Sequence, residues 1–204
     1  MAAKRAKRRT QGERREATIR KLLDAATDSL VEDGYANASV QAICARAGVS
    51  QGGLFRHFAT RDALMVAAAE DIGQRILAQY RRDFEALRDK EDPLVLAMRL
   101  VRAHCRSRTN QAWYELAMAA RTHRGLRKAL RPIAARYHAD IEELARQLLP
   151  DLARAMGDGF GVLVDTIIAV FDGEVVHRFV LGKPENDDAR IALLAGLARV
   201  VAPR

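Results

Sequence analysis

The chain is 204 residues long, with 49% apolar and 29% charged residues, enough to build a sizeable core and to cover it. That balance excludes a disordered or fibrous chain, and 5 prolines and 13 glycines leave helix formers such as Ala, Leu and Arg in charge. The net charge of +8 is uneven: through Arg61 twelve Lys and Arg stand against six Asp and Glu, so this portion carries +6 and the rest +2.

Such asymmetry points to a polyanionic partner at the N-terminal end, or to a solvated tail that only aids solubility. No apolar stretch follows the basic residues of segment 1–10, so a secretory signal is not expected. The longest apolar region, 160–181, is interrupted by Asp165, Asp172, Glu174, His177 and Arg178 and is not expected to span a bilayer. Cys44 and Cys105 lie far apart, outside any metal or redox spacing, which fits a reduced cytoplasmic compartment.

Strand-like alternation is missing, so the expected fold is all-α. In chain order, Ile19, Leu22, Leu23, Ala26, Leu30 and Val31 recur at steps of three and four and mark a first helix from Glu13. Gly34 sits where its C-cap is expected. Ser39 caps a short helix with Val40, Ile43 and Ala47 facing inward. Gly48-Val49-Ser50 interrupts it, Gly48 supplying a left-handed turn and Ser50 the cap of a helix over 51–57. Thr60 caps a long helix from Arg61 to about Leu87. Pro93 opens the next, to about Arg106, and Asn110 another through Ala120. Segment 126–149 reads as helix despite Pro132, which kinks it or marks a boundary, and Pro150 closes it. After the Gly157-Asp158-Gly159 break come an apolar helix over 160–181, a loop with Gly182, Pro184, Asn186 and Asp187, and a last helix over 188–201.

Two short helices joined by a glycine turn are the geometry that sets a recognition helix in the DNA major groove. Ile43, Val49 and Leu54 supply its core, Gly48 its turn. The residues that follow are more specific. Gln51-Gly52-Gly53-Leu54-Phe55-Arg56-His57-Phe58, then Ala59-Thr60-Arg61-Asp62-Ala63-Leu64, with Val31-Glu32-Asp33-Gly34-Tyr35 upstream, resemble the signature of the TetR family of bacterial regulators. Trp113-Tyr114-Glu115-Leu116 and Ala119-Ala120-Arg121-Thr122 resemble many members more loosely. The resemblance implies a basic flexible arm over 1–14, a three-helix DNA-binding domain over 15–61, and a helical effector-binding and dimerisation domain over 62–204. It depart from the family pattern at Gly53, where a small hydroxylated residue or alanine is usual, at Phe55 in place of tyrosine, and at Cys44 in place of alanine.

The residues agree with that implication. Gln51 offers an amide suited to adenine, and Arg56 a fork suited to guanine or phosphate. Ser39, Ser50, His57, Thr60 and Arg61 are placed to meet phosphates, although the three hydroxyl residues also serve as caps. Gly52, Gly53 and Phe55 complete the expected DNA surface. The basic arm is expected to follow the adjacent minor groove or phosphates.

The resemblance further implies a transcriptional repressor, working as a homodimer on a pseudo-palindromic double-stranded DNA operator and released by a small-molecule effector. The apolar helices over 160–181 and 188–201 are the dimerisation candidates, with Val162, Leu163, Ile167, Val170, Phe171, Val175 and Phe179 offering more apolar surface than one monomer easily covers, the alternative being an internal core helix. His104, Cys105, Trp113, Tyr114, Met118, Tyr137, Phe171 and His177 mix apolar bulk with polar groups as ligand sites do, and as many cores do.

Rival readings are an activator or an effector-independent DNA-binding protein of the same fold, and a redox sensor at Cys44. An enzyme is more remote: no phosphate loop, nucleophile elbow or His-Glu-x-x-His spacing is present. His138, Asp140, Glu142 and Glu143 read as a solvated helix face rather than a metal site. Neither a metal nor another cofactor is implied.

Overall fold

The computed structural model describes residues 10–181 and 186–201, and among these it holds ten α-helices and no strand. The basic arm through residue 9 lies outside the described residues, as do Gly182 and Pro184 of the expected loop.

Side-chain caps set the starts of the first seven helices. Thr10 and Glu13 form a reciprocal capping box at the head of α1 (Gln11–Asn37). Ser39 accepts from the Ala42 amide at 3.1 Å and opens α2 (Val40–Ala47), which Gly48 ends at a left-handed φ of 63°. Ser50 accepts from Gly53 N at 3.0 Å and opens α3 (Gln51–Phe55). Thr60 caps α4 (Arg61–Leu87), and Asp92 takes the Leu94 and Val95 amides at the head of α5 (Pro93–Cys105). Ser107 caps α6 (Arg108–Thr122), and the His123 imidazole accepts from Leu126 N at 2.9 Å to start α7 (Arg124–Leu148). Then follow α8 (Pro150–Met156), α9 (Gly159–Arg178) and α10 (Asp187–Val201).

Several boundaries differ from the sequence expectations. Gly34, with φ 74°, kinks α1 rather than ending it, and helical residues resume through Asn37. α3 stops at Phe55, two residues early. Pro132 sits inside a continuous α7. Pro150 does not close a segment but stands at the first position of α8, where its missing N–H costs nothing.

One large core joins the first three helices to the rest. Leu22, Leu30, Ile43, Leu54 and Leu64 from the first four helices meet Leu116 of α6 and Leu126 of α7 in a single cluster. A second cluster gathers Met98, Phe171, Val175, Ile191 and Ala195 from α5, α9 and α10. Each wholly buried Leu or Phe contributes about 1.5–3 kcal/mol relative to leaving it in water. Among the described residues no helix is long and apolar enough to cross a membrane.

Candidate nucleic-acid interface and effector cavity

The short helices α2 and α3 pack through Ile43 and Leu54, both wholly buried, with Val40 and Val49 partly covered beside them. The corner that presents them is tied from behind. Arg61, at the start of α4, donates from Nε to the Ala38 carbonyl at 2.7 Å and from Nη2 to the Tyr35 carbonyl, and its guanidinium lies 4.3 Å from the Tyr35 ring centroid. The Tyr35 hydroxyl donates to Asp62 at 3.2 Å, and burial, followed by the Asp62 charge, raises its pKa. From α6, Glu115 Oε2 accepts the Tyr35 amide at 3.2 Å. It lies 3.3 Å from where a Cβ at Gly34 would stand, so glycine is favoured there by both φ and space.

The outer face of this unit is open. Ser39, Ser50, Gln51, Gly52, Phe55, Arg56 and Thr60 are exposed, and Gly53 and His57 are half-buried. Arg56 forms no ion pair among the described residues, so its guanidinium is free for a polyanion. Arg61 is different: its side chain is turned inward on carbonyls. The sequence expectation of a phosphate contact for Arg61 is therefore corrected to a role in holding the corner. Gly53 has a local reason too. A Cβ there would stand 2.9 Å from Val49 Cγ1 and 3.2 Å from Ser50 Oγ, so Val49 has taken the space of a side chain. Cys44 is buried, and that burial pushes its thiol up, away from the reactive thiolate a redox sensor needs.

The middle helices enclose a cavity of about 110 Å³. Ile76, Leu77 and Tyr80 of α4 form one wall, Met98 and Val101 of α5 another, and Phe160, Leu163 and Ile167 of α9 a third. Of the eight residues expected to bind a ligand, His104, Cys105, Trp113 and Tyr137 line it. Tyr114 stands just behind, with its hydroxyl donating to the lining residue Asp172 at 2.6 Å. The other three are corrected. Met118 and His177 are exposed, and Phe171 is wholly buried in the α5–α9–α10 core, because each faces away from the enclosed space on its helix.

Burial pushes the Tyr137 hydroxyl and the Cys105 thiol far above their ordinary ranges, so both are uncharged. Burial lowers the His104 pKa, with Asp83 opposing at 3.4 Å. Sequence reasoning missed Asn110, His138 and Asp172 as lining residues. Asp172 had a signal, since it is a carboxylate inside an otherwise apolar stretch. The others had none. No group of metal-ligating side chains converges among the described residues: His138 faces Asp165, while Glu142 pairs with Arg146 and Glu143 accepts from Gln147.

Residues 22–68 match the family model of bacterial regulatory proteins of the tetR family. An HTH-type transcriptional regulator of Mycobacterium tuberculosis is 38% identical over 189 residues, which span 93% of this chain and 96% of that protein. The chain belongs to the TetR family.

It is accordingly a DNA-binding transcriptional regulator. Among solved structures, the multidrug binding protein EbrR complexed with imidazole is 27% identical, with a TM-score of 0.66 over 91% of this chain and 95% of that one. A transcriptional regulator from Rhodococcus sp. Rha1 shares the fold, with a TM-score of 0.72 at 22% identity over 91% of this chain and 98% of its own. In TetR-family terms, α2 and α3 are the helix-turn-helix and α3 the recognition helix. The departures at Gly53, Phe55 and Cys44 leave the helix-turn-helix core closed, since Leu54 and Ile43 remain wholly buried.

Proposed function

We propose that this TetR-family regulator is a repressor that binds a two-fold symmetric operator as a homodimer and leaves it when a small molecule fills the cavity. The observation that carries this reading is a shared pair of helices. α6 lines the cavity through Asn110 and Trp113, and its next residues include Glu115, which holds the Tyr35 amide at the corner before α2. α4 lines the cavity through Ile76 and Tyr80 and carries Arg61, which holds the other side of the same corner. A ligand that shifts either helix moves the base on which the recognition helix stands. The ligand must favour the non-binding arrangement, since equal affinity for both would shift nothing.

Gln51 and Arg56 are the proposed base readers, with Ser39, Ser50, Gly52, Gly53, Phe55, His57 and Thr60 against the backbone. The basic arm adds phosphate contacts. Dimerisation is proposed through α9 and α10, where Val162, Val176, Phe179, Leu193 and Leu197 leave large apolar side chains exposed. A dimer sets two recognition helices about 34 Å apart, one helical turn of DNA. The likeness to EbrR, a multidrug binding protein crystallised with imidazole, supports a small-molecule effector. A cytoplasmic location and the lack of enzymatic activity follow from the same reading.

The test is selection from a random duplex pool by the full chain at two salt concentrations. A two-fold symmetric motif, with half-sites about ten base pairs apart, is the expected result. Recovery of no motif, with binding that vanishes as salt rises, would leave only a basic surface and end the operator reading.

A further inference from the structure

We propose that the cavity takes a lipophilic organic cation, a one-ring apolar body bearing a single amine-like positive nitrogen, with Asp172 as its counter-charge. This rests on the effector reading above and adds the chemical class of the ligand.

The lining has an unusual charge count. Among the described residues that form it, Asp172 is the only Asp, Glu, Lys or Arg. Nor does Asp172 form an ion pair elsewhere among the described residues. Arg106, at the C-terminal end of α5, and Arg190 of α10 are both held by the buried Glu174.

Asp172 is also held in place. The Tyr114 hydroxyl donates to its Oδ1 at 2.6 Å, and Asn110 Nδ2 donates back to the Tyr114 oxygen at 2.9 Å. That chain fixes the carboxylate, and with the Cys105 thiol, which also hydrogen-bonds to Asp172, it uses two of roughly four lone-pair sites. An ionised carboxylate only accepts, so the remaining sites call for a donor, and an ionised donor makes the strongest such bond.

Nothing in the wall offers an anion the same. His104 is held toward its neutral form by burial, and its Nε2 faces Asp83 at 3.4 Å. His138 turns Nδ1 toward Asp165 at 3.3 Å, so its ring already faces a carboxylate. An acid or phosphate inside the cavity would meet Asp172 with no fixed cation to offset it.

The rest of the space defines the body. A dry cavity of about 150 Å³ accommodates benzene, so about 110 Å³ suits one ring with slight give in the walls. Trp113 and Tyr137, with ring centroids 6.5 Å apart, bring aromatic faces that attract a cation.

The experiment compares three ligands with one body: 3-phenylpropylamine, 3-phenylpropan-1-ol and 3-phenylpropanoate, each titrated calorimetrically into the full chain. The amine is expected to bind about tenfold tighter than the alcohol, a difference of about 1.4 kcal/mol, and the carboxylate weakest. Asp172→Asn is expected to bring amine and alcohol within about twofold of each other, and Asp172→Glu to restore the preference. Melting of each unliganded variant shows that it is folded. Alcohol or carboxylate binding as tightly as the amine overturns the cation assignment and leaves the effector cavity standing. A preference that survives in Asp172→Asn overturns it as well. If none of the three binds at millimolar concentration, the cation assignment falls, while the effector reading, which commits to no particular body, stands.

Discussion

At the corner before α2, almost every polar group has a partner: Arg61 reaches two carbonyls, Glu115 takes the Tyr35 amide, and Asp62 takes the Tyr35 hydroxyl. Beside it Ile43, Leu54 and Leu64 are wholly inaccessible to solvent. Among α4 to α9 the side chains instead surround a void of about 110 Å³, edged by a carboxylate that makes no ion pair among the described residues. The contrast separates two jobs. A surface that must match DNA in register needs one arrangement, fixed by packing and directional bonds. A space that must admit a ligand leaves contacts unmade, and those are what the ligand gains.

Large-to-small substitutions measure that difference most directly. Leu54→Ala should cost about 3–5 kcal/mol, because the site is packed on all sides and cannot close the hole. Leu163→Ala, on the cavity wall, should cost about 1–2 kcal/mol, since atoms facing a void have fewer partners to lose. Urea unfolding of both variants checks this. Equal losses would mean that the cavity wall is as tightly packed as the DNA-binding end, and the contrast would fail.

Arg61→Ala should follow, at about 2–3 kcal/mol, from the loss of charged hydrogen bonds to two carbonyls. Operator affinity should fall with it, because the corner loosens. The informative control is Arg61→Lys, which keeps the charge but not the fork and should recover only part of the stability. Unchanged melting combined with weaker DNA binding would return Arg61 to the phosphate backbone.

How much of this was legible in the sequence follows from the same contrast. The helix-turn-helix is local: its caps Ser39, Ser50 and Thr60, its turn at Gly48 and its buried Ile43 and Leu54 fall within about two dozen residues, and each plays the structural part its type suggests. The cavity is assembled from Ile76 through Asp172, so which side of each helix faces it depends on six crossing helices. Periodicity identifies a buried face but not what lies opposite, so of the residues chosen on that ground Trp113 and Tyr137 line the cavity and Met118 and His177 do not. Arg61 was misread for another reason. Its position beside the DNA-binding helices suggested phosphate, whereas carbonyls left open at the Gly34 kink and the α1–α2 corner lay within its reach.

Arg56→Ala should reverse the pattern seen at Arg61. Its side chain is exposed and makes no ion pair among the described residues, so stability should stay within about 0.5 kcal/mol of the parent. Operator affinity should fall by about 1–3 kcal/mol. The salt dependence then identifies the contact: a lost phosphate contact lowers the slope by about 0.9, and a lost base contact leaves it nearly unchanged while relaxing sequence preference. No loss of affinity at all would remove Arg56 from the interface.

The smallest expected effect is a pH dependence at the cavity edge. Burial lowers the His104 pKa below its ordinary 6.5, with Asp83 partly offsetting it. An unfolded chain therefore takes up a proton, as pH falls through that ordinary value, that the folded chain resists. Unfolding then binds more protons, so stability must fall with falling pH and is fullest above the ordinary value. Urea midpoints at pH 7.5 and 5.5 should separate further for the parent than for His104→Gln, which has no such group. A ligand that fills the cavity strips more water from the imidazole and should widen the parent's separation. If the parent and His104→Gln lose stability equally on acidification, water reaches His104 freely, and the cavity edge is more open than its packing against Tyr80, at 5.7 Å between ring centroids, implies.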